Sequence, residues 1–231
     1  GNYVCAVASD YDVTESGRCY AFTLRDGVVF HNGAVCTPQD VLYSFQTCAD
    51  TTVDTAVAAA LSAVEEISAK GNVVTIRLQE ANNDFLSTVA NVSIVPEHYQ
   101  KQATSPVGTG PFQFASRSVQ ENVILEKHEA YYGTPASLDR VTYKIYEDGN
   151  ALFTALNSGA LDLVAHLTSD QVGNLSNGYT VLEGTMNLVQ ALYLNHQVQP
   201  FDNVLVRQAM CYAVDVDAML DLTADGHGTK V

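Results

Sequence analysis

Chemistry in this sequence would have to come from a few runs of histidine, glycine and acid. His128-Glu129-Ala130-Tyr131-Tyr132 opens like the zinc-protease helix motif, in which two imidazoles one helical turn apart grip the metal. Tyr132 stands where the second imidazole is needed, so the run is no zinc site. The other histidines (His31, His98, His166, His196 and His227) are scattered singly and read as surface or core side chains. Gly108-Thr109-Gly110 suggests a phosphate cradle, yet neither a G-K-[ST] ending nor a G-x-G-x-x-G accompanies it, and a tight turn is the better reading. There is no G-x-S-x-G elbow to carry a nucleophilic serine. Glu65 and Glu66 point to opposite faces if they lie on a strand, which argues against a paired-carboxylate site. No catalytic centre, metal or cofactor is expected.

Five cysteines (Cys5, Cys19, Cys36, Cys48 and Cys211) are an odd number without a C-x-x-C. Cys36 and Cys48 bracket one helix; at about 1.5 Å rise per residue their Cα atoms stand roughly 15 Å apart, beyond disulfide reach. A hairpin turn near Glu15 to Gly17 sets Cys19 opposite Asp12 and leaves Cys5 unpaired. Free, buried or half-buried thiols are expected.

The elements that must position these residues follow from periodicity and punctuation. Tyr11 to Thr14 and Cys19 to Leu24 alternate as strands around Ser16-Gly17, and Asp26-Gly27 turns the chain into a strand at Val28 to Phe30. Thr37-Pro38-Gln39-Asp40 is a helix start, with Val41, Leu42, Phe45 and Cys48 on one stripe. Ala56 to Val64 is an Ala-rich helix. Val64 to Ser68 and Val73 to Leu78 form a hairpin about Lys70-Gly71-Asn72. A short helix at Asn83 to Ala90, a strand at Val92 to Val95 and a helical turn opened by Pro96 follow.

Ser105 to Pro111 cannot hold regular structure and marks a turn or domain crossing. Beyond it, strands are expected at Phe112 to Ala115, Val123 to Lys127, Val141 to Tyr146, Leu161 to Val164, Tyr179 to Leu182 and Val189 to Leu194. Helices are expected at Asn150 to Asn157 (stopped by Gly159), Ser169 to Leu175, Asp202 to Ala213 (Val204, Ala209 and Ala213 inward) and Asp215 or Val216 to Leu222. The pattern is mixed α/β in two parts, with no repeat and no low-complexity tract.

Composition sets the outer bounds. Of 231 residues, 47% are hydrophobic and 16% charged, a globular mix long enough for a sizeable core. The formal charge of −15 excludes a nucleic-acid partner and disfavours an acidic membrane surface. The acid is evenly spread: residues 1–106 carry 12 acidic and 5 basic side chains, residues 107–231 carry 14 and 6. A self-repelling, soluble surface is the plainest reading. The longest uncharged run, Gly184 to Phe201, is broken by Asn187, Gln190, Asn195, His196 and Gln197, so no transmembrane segment is expected.

Seven segments, in order, go further: AFTLRDGVVFHNG with TPQDVLYSF, then PVGTGPFQF, LEKHEAYYG, LDRVTYKIY, ALNSGALDL and PFDNVLVRQAMCYAVDVDAM. Together they resemble family 5 solute-binding proteins, the extracytoplasmic receptors of oligopeptide, dipeptide and nickel ABC importers. The resemblance runs from about Tyr20 to Met219. It implies a type II periplasmic-binding-protein fold, with residues 1–106 as a smaller domain inserted into the first lobe and residues 107–231 as the central part of that lobe. It also implies that the opening strands, the signal peptide and any lipid-modified Cys of a lipoprotein precede Gly1, and that the second lobe follows the exit at Gly226-His227-Gly228.

What the resemblance implies for function is capture of a small peptide or related solute and delivery to ABC permease subunits, with no catalysis. Ligand contacts are expected from Tyr193 and Asn195, before Pro200-Phe201-Asp202, and from Gly108, Thr109 and Gly110 at the crossing. The structural alternatives are a core-facing Tyr193, a strand-end cap at Asn195 and a mere turn at the glycines. An interaction module without ligand capture, or a peptide hydrolase, is the rival function. With half of a two-lobed clamp, the chain alone is expected to bind peptides weakly or not at all. Unpaired sheet edges are expected to invite self-association.

Overall fold

The structure is a computed structural model and describes residues 3–50, 56–176, 178–184, 189, 191–224 and 228–230. The side chains of Ala56 and Ala224 are not described, and the expected lobe exit at 226 and 227 lies outside the described residues, as does His227. Two compact units divide the chain, Gly1–Ile145 and Tyr146–Val231.

In the first unit, β1 (Ala8–Thr14), β2 (Cys19–Leu24), β3 (Val64–Lys70) and β4 (Val73–Leu78) make an antiparallel sheet in the order β1-β2-β4-β3. The β1–β2 turn is tighter than expected. Thr14, not Asp12, faces Cys19, because Glu15, Ser16 and Gly17 all take left-handed backbone (φ 52, 57 and 94). Period-two alternation then sends Val74, Ile76 and Leu78 to one face, where each is fully buried beside Tyr20 and Leu24.

Helix α1 (Pro38–Cys48) closes that face with Val41 and Phe45, and Leu42 and Cys48 pack at its margin. Its start is the capping box anticipated from Thr37 and Asp40: the Thr37 hydroxyl oxygen accepts from Asp40 N–H, and the Asp40 carboxylate accepts from Thr37 N–H at 2.8 Å. Helices α2 (Ala56–Leu61) and α3 (Phe85–Val89) add Leu61 and Phe85 to the core.

Two expected strands in this unit are not strands. Val28 to Phe30 is reduced to a single bridge, Val29 to Val35, closing a narrow loop in which Phe30 is fully buried and Gly33 takes φ 83. Val92 to Val95 has no regular structure and no partner strand. The Ser44 hydroxyl of α1 takes the place of one, accepting from Val95 N–H at 2.9 Å and lying 3.2 Å from Val95 O.

Beyond the glycine turn, β5 (Phe112–Ser118), β6 (Asn122–Lys127) and β7 (Arg140–Lys144) form a second antiparallel sheet in sequence order, with a bulge between Phe114 and Ser116. One further bond, His128 N–H to Pro111 O at 2.9 Å, prolongs the β5–β6 ladder and delivers His128 to the turn.

The second unit is helical among its described residues: α4 (Gly149–Asn157), α5 (Ser169–Gly173), α6 (Val204–Ala213) and α7 (Val216–Ala224). Asp148 caps α4, and Gly159 (φ 75) ends it in a Schellman arrangement, with Gly159 N–H on Leu156 O and Ala160 N–H on Ala155 O. The strands expected at Leu161 to Val164, Tyr179 to Leu182 and Val189 to Leu194 do not form among the described residues; their alternation has no partner strand to pair with. Val204, Ala209 and Ala213, expected inward on α6, are exposed. Leu156 is the one buried hydrophobic side chain among this unit's described residues.

The cysteines are free, four half-buried and Cys211 exposed. Burial, with Asp40 adding to it, pushes the Cys36 thiol up to about 12, and burial raises Cys48.

Candidate functional site

The expected ligand-contact residues fall into two sets, one in each unit. Gly108, Thr109 and Gly110 lie in the first, half-buried, in a segment without regular structure as anticipated. The turn is nevertheless held at nearly every residue. The Tyr99 hydroxyl donates to Ser105 O at 2.7 Å. The Gln102 carboxamide grips both ends of Val107, accepting from its N–H and donating to its carbonyl, each at 2.8 Å.

His31 and His128 complete the cradle. Gly108 N–H donates to His31 Nδ1 at 3.1 Å, and His31 N–H donates to Gly108 O at 3.0 Å. An Nδ1 that accepts carries no proton, so the proton sits on Nε2, which donates to Gly110 O at 3.1 Å. The same carbonyl oxygen takes a second bond from His128 Nδ1 at 3.2 Å, and the two rings meet edge to face with centroids 4.9 Å apart. Burial is the main force lowering the His31 pKa; the Gly110 carbonyl opposes it and His128 adds to it.

His31 is therefore not the isolated side chain that its spacing suggested, and His128, read only as a failed zinc motif, is its neighbour. Sequence reasoning missed them, and Gln102 with them. His31 reaches Gly110 across 79 positions, and no local period reports such a meeting. The available signal was indirect: His31 and His128 each lie inside a segment carrying the family resemblance, as does the turn. Among the described residues, no group of three His, Cys, Asp or Glu side chains is placed to hold a metal ion.

Neither Gly108 nor Gly110 has a left-handed φ. A Cβ on Gly108 would meet His31 Cε1 at 3.7 Å, and one on Gly110 would meet Phe112 O at 3.9 Å, both ordinary contacts. The backbone does not by itself demand glycine at either position.

In the second unit, Tyr193 is 91% exposed and does not face a core of the described residues. Asn195 caps a turn, not a strand end: its Oδ1 accepts from Gln197 N–H at 3.0 Å, just before Pro200. Asn203 Oδ1 then accepts from Leu205 N–H and starts α6.

No helix among the described residues is long and apolar enough to cross a membrane. Heme-binding protein A of Haemophilus influenzae is 28% identical over 259 aligned residues, spanning 97% of this chain and 47% of that protein. Among solved structures, DppA of Helicobacter pylori in complex with the peptide STSA matches with a TM-score of 0.74 at 26% identity, covering 98% of this chain and 50% of that one. NikZ of Campylobacter jejuni in complex with Ni(L-His) matches in fold with a TM-score of 0.80 at 22% identity, over 93% of this chain and 45% of that one. The chain thus spans about half the length of the relatives it matches, and its mixed helix-and-sheet fold is part of a type II periplasmic-binding-protein fold. Residues 2–231 match the profile of the bacterial extracellular solute-binding proteins, family 5 (middle region), and the chain belongs to that family.

Proposed function

We infer that this chain is part of the substrate-binding component of an ABC importer, capturing a small peptide or related solute outside the membrane and passing it to permease subunits. The observation that carries the reading is the family match along 2–231, with a peptide-complexed structure among the neighbours. In this reading residues 1–106 are the smaller domain inserted in the first lobe, and residues 107–231 belong to the lobe itself. The irregular segment from Ser105 to Pro111 supports the boundary. The compact units divide later, after Ile145, so the boundary at 106 rests on that irregular segment and on the family resemblance.

Gly108, Thr109 and Gly110 supply backbone to a ligand wall, and Tyr193 and Asn195 supply side chains. Two glycines whose conformation any residue could adopt fit a surface kept free of side chains for a close backbone approach. Location outside the cytoplasm, with anchoring as a lipoprotein, belongs to the same reading. So does the absence of catalysis: relatives named for binding favour a receptor over a hydrolase.

Calorimetry with a panel of di- to hexapeptides tests this, on the full natural gene product and on the 231-residue chain. The full product is expected to bind a peptide saturably, weakened about tenfold by Tyr193→Ala, the scale of one lost contact of ~1.4 kcal/mol. The chain alone is expected to bind far more weakly. Absence of binding by the full product, or micromolar binding by the chain alone, would overturn the reading.

A further inference from the structure

We propose that the Gly108–Gly110 turn is held by a proton-sensitive clamp: the neutral His31 ring anchors it at both ends, and protonation of His31 at Nδ1 breaks the ring's bond to the Gly108 N–H, leaving the His31 main-chain bond to Gly108 O in place. The observations are geometric. His31 uses every polar atom of its ring on this turn, accepting from Gly108 N–H with Nδ1 at 3.1 Å and donating from Nε2 to Gly110 O at 3.1 Å. A proton on Nδ1 turns its lone pair into an N–H that faces the Gly108 N–H, so that bond is lost and two donors oppose each other. The Gly110 end survives, because Nε2–H still donates. The clamp therefore opens from one side.

His128 sharpens the response. It is buried, its Nδ1 lies on the same Gly110 oxygen, and its ring sits 4.9 Å from that of His31. Across that distance His128 opposes protonation of the His31 ring.

Among the described residues, no carboxylate pairs with either ring. Residues 27–39, which carry His31, contain no Asp, Glu, Lys or Arg, and Cys36 is their other titratable side chain; residues 102–116, which carry the turn, contain no charged side chain. Beside His128, Lys127 and Glu129 pair with each other at 3.5 Å, and among the described residues no ion pair reaches either histidine. Burial of His31 favours its neutral form, which matches a clamp closed near neutrality and opened by acid. The device does not require the turn to touch ligand, so it stands or falls apart from the receptor reading.

Nuclear magnetic resonance on the chain between pH 8 and pH 5 tests the clamp. Long-range nitrogen–proton spectra at pH 8 are expected to show His31 protonated on Nε2 and His128 on Nδ1. As His31 titrates, the Gly108 amide is expected to lose about tenfold in hydrogen-exchange protection, the scale of one hydrogen bond, while the amides of Val74 and Ile76 keep theirs. His31→Asn offers an amide oxygen to Gly108 without a titrating group, and its Gly108 protection is expected to be flat over the same range. A proton on His31 Nδ1 at pH 8, unchanged Gly108 protection while His31 titrates, or the same pH dependence in His31→Asn would each overturn the proposal. The first two readouts need no variant.

Discussion

At the scale of single residues, burial decides which ionisable groups are free to act. His31 is held below its usual range mainly by desolvation, so the folded state favours the neutral ring. The unfolded chain then takes up a proton near pH 6.5 that the folded chain resists. The stability this contributes is present above pH 6.5 and drains away as the pH falls toward the lower folded value. Urea midpoints at pH 7.5 and pH 5.5 should show that loss, and His31→Asn should reduce it. Thiol chemistry separates in the same way. Cys36, pushed up to about 12, holds almost no thiolate at pH 8, whereas Cys211 is exposed. Mass spectrometry after brief alkylation at pH 8 should find Cys211 modified and Cys36 intact. Burial of this kind was not legible in the sequence for His31, because the groups that enclose it come from Gly108, Gly110 and His128, far along the chain.

At the scale of elements, legibility followed how local each element's causes are. The start of α1 was readable because Thr37, Pro38 and Asp40 are a self-contained cap, and the Val64–Leu78 hairpin because Lys70-Gly71-Asn72 turns it. The end of α4 at Gly159 was readable for the same reason. Val92 to Val95 was misread because β-branched residues favour extension, but a strand needs a ladder, and here one serine hydroxyl supplies the bonds. The turn before β2 lies at Glu15 to Gly17 as expected, but the strand register was read two residues off, since Glu15 and Ser16 accept left-handed backbone that non-glycine residues seldom adopt.

Two stability predictions belong to this scale. Asp40 caps α1 and also accepts from Glu97 N–H through Oδ1 at 2.9 Å, whereas Thr37 serves the cap alone. Thr37→Ala should cost about 1 kcal/mol, within the range for lost caps, and Asp40→Ala more, as measured by urea unfolding. Gly17→Ala should cost ~1–2 kcal/mol. Gly17 sits at φ 94, and a Cβ there would lie 2.3 Å from Asn83 Oδ1, forcing that side chain away.

At the scale of the molecule, the two units differ in how completely they bury their apolar residues. The first assembles a core of ten buried hydrophobic side chains around β2, β4 and α1. Among the described residues of the second, Leu182, Tyr193, Tyr212 and Leu222 are each at least 85% exposed, and α6 shows Leu205 and Val204 to solvent. Apolar surface on that scale is uncommon on monomers and draws partners. Self-association, expected from unpaired sheet edges, is therefore better placed on these helices, where apolar area rather than open ladder is left over. The net charge of −15 opposes it through long-range repulsion that salt screens within about 8 Å at physiological ionic strength. The two effects separate with salt: association should strengthen as ionic strength rises from low to physiological, the reverse of what an assembly held by ion pairs would do. Light scattering across a wide concentration range at two salt levels should report masses above 24.9 kDa, growing with both concentration and salt, and Leu205→Glu with Tyr212→Glu should return the chain toward the monomer mass. A strict monomer at every concentration and salt level would show that the exposed helices do not drive association.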